Sequence, residues 1–143
     1  MYNNKKEIKM LDLMNVNGWA ILVSSVVAFV IGGVWYNPKV FGQSWMDEHG
    51  HTLDSLGNPV KAMGLTFITS TITAWVIAVI ASGLGVDTLM EGVQLGLLLG
   101  VGVMLATRYS DGLYNNQSTK LALIEGGYRA IYTLVVCIII AVW

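Results

Sequence analysis

Apolar residues run along this chain in four blocks of about 20, each long enough at about 1.5 Å per residue to cross about 30 Å of hydrocarbon. The blocks predict membrane spans at 16–36, 62–84, 89–109 and 121–143, preceded by a polar tail over 1–15. Between the first two spans the pattern changes character. The apolar run ends in Trp35-Tyr36, residues that favour the bilayer interface, and Asn37-Pro38 stops the helix. Asn37 can cap a new helix that has Pro38 at its first position, where the missing N–H had no partner to lose. Phe41 and Trp45 then stand four apart, giving a short helix one apolar edge that lies on the membrane surface or tucks against the bundle. The fold class is all-α: a four-transmembrane-helix bundle with a short amphipathic interfacial helix after the first span.

The remaining spans carry distinct polar patterns. Thr66, Thr69, Ser70 and Thr73 recur at helical spacing in the second and predict a face turned to protein. Gly92, Gly96 and Gly100 fall at four-residue intervals in the third, a groove of the small-xxx-small kind that lets another helix approach closely. Gly83 to Thr88 form a tight connector, and Asp87 or Thr88 can cap the third span. Because the last run ends at Trp143, its helix must reach back to about Ile124 to cross, which sets Glu125 and Arg129 at the membrane's edge.

Composition supports a membrane protein: of 143 residues 55% are hydrophobic and 12% charged, against about 25% charged in soluble domains. A net charge of −1 without a basic patch excludes nucleic acid as the expected partner. Lys5, Lys6 and Lys9 precede the first span, but that run exceeds a signal-peptide core and lacks a small-residue cleavage site, so an uncleaved helix is expected. Lys39, Lys61, Arg108, Lys120 and Arg129 outnumber the three tail lysines and place loops 37–61 and 110–120 in the cytoplasm, with both termini outside. An inner (plasma) membrane location follows from that reading.

Span parity gathers one polar constellation at the loop face: Tyr36, Asn37, Trp45, Arg108, Asp111, Glu125, Tyr128 and Arg129. An ionisable group inside a membrane needs compensation. Either these residues form a ligand, ion or proton site under the loop helix, or Glu125 simply pairs with Arg129 and Arg108 with Asp111, as their spacing allows. His49 and His51 are weak metal candidates, since two histidines straddling a glycine match no fixed zinc spacing. No metal or cofactor is expected. Cys137, the lone cysteine, lies in the last span, and no nucleophile–base arrangement can be assembled.

The run Gly33-Val34-Trp35-Tyr36-Asn37-Pro38, with Val40-Phe41-Gly42-Gln43-Ser44-Trp45-Met46 after it, resembles the first-loop signature of a bacterial family of unknown function numbered 1761, and Ile124, Gly127 and Tyr128 give a second match. The resemblance extends from about Val16 to Trp143. It implies a small four-span integral membrane protein and supplies no activity. Asn37, Glu125 and Arg129 stand where the resemblance leads one to expect Ser, Asn and His. The leading expectation is a noncatalytic membrane subunit that associates with copies of itself or with another membrane protein through the glycine groove. A small oligomeric transporter or channel using Glu125 and Arg129 is the alternative, and an enzyme acting on lipid headgroups the third.

Overall fold

The structure is a computed structural model and describes residues 12–143, so the tail lysines lie outside the described residues. Among the described residues four helices are long and apolar enough to cross a membrane, the architecture of a multi-pass membrane protein. Helix α1 spans Gly18–Trp35 and starts at Asn17, whose side-chain oxygen accepts from the Trp19 and Ala20 amides at 2.9 and 3.2 Å. A single wide π turn, Pro38–Gly42, follows, capped by Asn37 through the Lys39 amide at 2.9 Å. A Cβ on Gly42 would collide with the Tyr36–Asn37 backbone, so this reversal requires glycine. The interfacial helix α2, Gln43–His49, ends at Gly50 with φ +67°, and a 3₁₀ turn at Leu53–Leu56 leads into α3, Val60–Leu84.

The third crossing is one continuous rod of three parts: α4 (Leu89–Leu99), a π stretch (Gly100–Leu105) and α5 (Ala106–Tyr114). Thr88 caps it, forming with Glu91 a reciprocal box that satisfies donors at both residues. The rod runs to Tyr114 rather than ending at 109, and the last helix, α6, begins at Thr119 behind Ser118. The connector between them is correspondingly short.

The glycine stripe has its partner inside the chain. A Cβ at Gly92 would meet Ala141 at 2.7 Å, one at Gly96 the Leu134 backbone at 2.8 Å, and one at Gly100 the Ala130 carbonyl at 2.7 Å. The groove thus seats α6 and carries no argument for a second copy.

The π stretch extends this contact. On a regular helix Arg108, eight residues beyond Gly100, would stand about 80° away from it, while a turn holding one extra residue takes back about 100°. Arg108 and Gly112 are accordingly buried along with Gly92, Gly96 and Gly100. Leu105, at the end of the stretch, rests against Gly126 of α6.

The shared core lies towards the end where α3 finishes. Ala74, Ile77, Ala78 and Ala81 of α3 join Ile21 and Ala28 of α1, Leu95 of α4, and Val136 and Cys137 of α6. Small side chains let the backbones close up there. Towards the loop end, by contrast, the α3 residues from Val60 to Thr66 are all exposed. The helix therefore packs by its second half and leaves space beside its first.

The packing separates two glycine-to-alanine changes. Gly96→Ala forces Leu134 away and should destabilise the detergent-solubilised protein by about 1–3 kcal/mol. Gly64→Ala, where nothing lies within 4 Å of the added carbon, should be neutral or stabilising in the same unfolding measurement.

Candidate functional site

Glu125 lies in the second turn of α6, and three elements converge on it. The Arg108 Nε, from α5, donates to its Oε2 at 2.6 Å, and the Arg108 Nη2 contacts the same oxygen. Trp45 Nε1, from α2, donates to Oε1 at 3.0 Å. Nη2 of Arg108 also donates to the Gln117 side-chain oxygen, which ties in the last connector. Both carboxylate oxygens are occupied.

This arrangement corrects the pairing expected from spacing. Glu125 bonds across helices to Arg108 rather than along its own helix to Arg129, and Asp111 is exposed and pairs with neither arginine. The reason is the phase of the third rod, which turns Arg108 inward to 7% exposure while Asp111 stays on the solvent side. Among the described residues no carboxylate lies within ion-pair range of Arg129. Asn37 serves its cap and does not join the constellation.

Helix α2 lies over this point as a lid with its apolar edge turned towards α6. Trp45 forms its inner anchor, and Phe41 packs at 4.5 Å on Trp35, whose ring nitrogen donates to the Ile124 carbonyl at 3.0 Å. Glu48 receives the Ser118 hydroxyl and pairs with Lys120 at 3.6 Å. His49 stacks on Trp45 at 4.4 Å, with Nδ1 3.0 Å from the Trp45 carbonyl and Nε2 3.8 Å from Glu125 Oε1. Since a carbonyl only accepts, Nδ1 carries the hydrogen. His49 and His51 are stacked face to face at 5.8 Å, a packing arrangement. Among the described residues no three His, Cys, Asp or Glu side chains form a metal-holding group.

Beneath the lid, where α3 leans away, a cavity of about 1030 Å³ opens between α1, α3 and α6. One wall is the Glu125, Tyr128, Arg129 and Tyr132 face of α6, and the opposite wall is the hydroxyl stripe Thr66, Thr69, Ser70 and Thr73. Of this stripe only Ser70 is buried, while Thr66 and Thr69 are exposed, so the expected protein-facing stripe mainly lines the cavity. Thr69 and Thr73 donate to carbonyls of their own helix, at 2.9 and 3.0 Å, which leaves oxygen lone pairs free to accept. Edge-on aromatic contacts run from Trp45 to Tyr36 (6.0 Å) and on to Tyr128 (5.3 Å), with Tyr132 beside it (5.1 Å). Gly32 makes room for this ladder, because a Cβ there would come within 3.0 Å of the Tyr128 hydroxyl.

Of the expected constellation, Tyr36, Trp45, Glu125, Tyr128 and Arg129 meet at the cavity, Arg108 braces it from behind, and Asn37 and Asp111 stay outside. Sequence reasoning missed Gln117, Glu48 and Tyr132. Tyr132 was legible, being three and four residues on from Arg129 and Tyr128 on one helical face; Gln117 and Glu48 depend on how the loops fold back.

The family model described as a protein of unknown function, DUF1761, matches residues 19–141. No curated protein and no solved structure matches the chain.

Removing one partner from the buried pair strands a charge. Arg108→Met should cost on the order of 3 kcal/mol in detergent unfolding. The double change Arg108→Met with Glu125→Leu should recover most of that loss, since neither charge then remains to be solvated. Deleting lipid-facing Val103, 46% exposed in the π stretch, should turn the rod into a regular helix and keep Arg108 in phase. Inserting one alanine there should rotate Arg108 by about 100° and reproduce the Arg108→Met loss in the same assay.

Proposed function

We propose that in this chain, which belongs to the DUF1761 family of proteins of unknown function, the cavity beneath α2 is a ligand-binding site and the protein a noncatalytic membrane carrier or receptor. The observation that carries this reading is the pairing of a cavity of about 1030 Å³ with an arginine in its wall that no carboxylate among the described residues pairs. That volume matches the upper end of small-molecule sites, about 300–1,000 Å³. Polar groups line two facing walls, and apart from Asn58 the remainder is apolar or aromatic, the usual composition of a binding pocket.

Two features favour binding over chemistry. Glu125, the carboxylate in the cavity wall, has both oxygens engaged by Arg108 and Trp45 and is not free to act as a base. The phenols and hydroxyls around it bind and orient, and among the described residues none of them hydrogen-bonds to a carboxylate or imidazole that would make it a nucleophile. Self-association yields its place as the leading reading because the glycine groove that suggested it is filled by α6. Trp45 joins the lid to the same carboxylate that fixes α5 to α6, so lid position and bundle packing are coupled through one residue. By the lysine and arginine count the lid side is the cytoplasmic one.

A thermal-unfolding screen with one compound library tests the reading. Compounds that stabilise the wild type should fail to stabilise Thr69→Trp, which sets an indole into the cavity from the exposed stripe of α3. A library whose stabilising members act equally on both proteins would remove the cavity from the function.

A further inference from the structure

A second hollow lies directly outside the cavity, and its chemistry is opposite. It is a furrow of about 500 Å³ on the outer seam of α1 and α3, lined by Val26, Phe29, Val60, Met63, Gly64 and Phe67, without a polar side chain. Phe29 and Met63 line both hollows, so the furrow and the cavity share a wall. Across the seam the Phe29 and Phe67 rings meet edge to face at 5.9 Å, a contact two side-chain rotations can open. Gly33 and Gly64 have open space where side chains would be. Along α3 the furrow runs from Val60 to Phe67, about 10 Å of helix.

On the inner side stands Arg129, ten residues and about 15 Å into α6 from its start at Thr119. An unpaired charge at that depth is costly, up to about 2.5–3.5 kcal/mol at the bilayer centre. The carboxylate nearest in sequence, Glu125, is already held by Arg108. A guanidinium in this setting is matched by a phosphate or carboxylate, which it can grip through two parallel N–H donors.

We propose that the ligand is an anionic amphiphile that enters sideways from the bilayer, with its headgroup at Arg129 and its acyl chain in the furrow between α1 and α3. The proposal rests on the cavity being the binding site. It assigns the ligand a chemical class and a route. An anion drawn from water would have no use for the furrow. A neutral lipid would leave Arg129 unmatched. A molecule with one anionic end and one apolar chain fits both hollows at once.

The full chain, purified in an uncharged maltoside detergent, is titrated with dodecyl phosphate, with dodecylphosphocholine and with inorganic phosphate, and binding is read by native mass spectrometry and thermal shift. Dodecyl phosphate should bind, and its affinity should fall at least about tenfold in Arg129→Gln and in Gly64→Trp, which fills the furrow. Val60→Trp on the outer rim replaces Gly64→Trp if that variant does not fold. Equal binding of dodecylphosphocholine, or affinity for dodecyl phosphate that is the same in Arg129→Gln, overturns the proposal. Inorganic phosphate that binds the wild type and Gly64→Trp alike also overturns it, while leaving the cavity as a site for a soluble anion. Dodecyl phosphate binding that survives Thr69→Trp places the ligand elsewhere and ends both readings.

Discussion

The Arg108–Glu125 pair is the constraint on which the loop end of this molecule depends. Two opposite charges within a membrane-edge bundle are tolerable only together, because removing either leaves the other poorly solvated. Their union fixes α5 against α6. Trp45 then uses the remaining carboxylate oxygen to bring α2 down over the bundle, and Gln117 uses the remaining guanidinium capacity to fold back the last connector. Three elements distant in sequence are thereby positioned by one carboxylate.

That pairing in turn depends on a backbone irregularity just before Arg108 in the same rod. A four-residue repeat of small residues drifts around a regular helix by about 40° at each step. Over the distance from the Gly92–Gly100 groove to Arg108, such drift would carry the guanidinium away from α6. The π stretch Gly100–Leu105 absorbs it. Its extra residue is placed where glycines and lipid-facing valines make the widened turn easy to accommodate. The third crossing is therefore one interface in two registers, glycine against α6 backbone and arginine against α6 carboxylate.

Much of this was legible in the sequence, and the parts that were not share a cause. Four spans, the Asn37-Pro38 stop, the Thr88 cap and the lid helix follow from local rules of hydrophobic length, capping and turn chemistry, which need only neighbouring residues. The gathering of Trp45 with Glu125 follows from span parity. Spacing misled on the pairs. Glu125 with Arg129 and Arg108 with Asp111 satisfy the i,i+4 and i,i+3 rules, but a local rule cannot register the phase change of a π turn. Nor could it say which helix would fill the glycine groove; the sequence shows a face made for close approach and not the identity of what approaches. A site under the loop helix was one of two readings the constellation allowed, but its second wall was hidden for the same reason, since it arises from the uneven distribution of core residues along α3.

The contrast between the two arginines at this end carries the functional argument further than either alone. Arg108 and Arg129 both lie within a few turns of the same membrane face, on helices packed against each other. One is buried with a carboxylate, an amide and an aromatic lid organised around it; the other is left exposed to a cavity. Had the chain needed only electrical neutrality, the four-residue spacing of Glu125 and Arg129 offered it within a single helix. The fold instead assigns the carboxylate to Arg108 and keeps α3 away from Arg129, so a positive charge faces open space lined by hydroxyls and phenols. A structural ion pair accounts for the first arginine, whereas no carboxylate among the described residues lies within ion-pair range of the second.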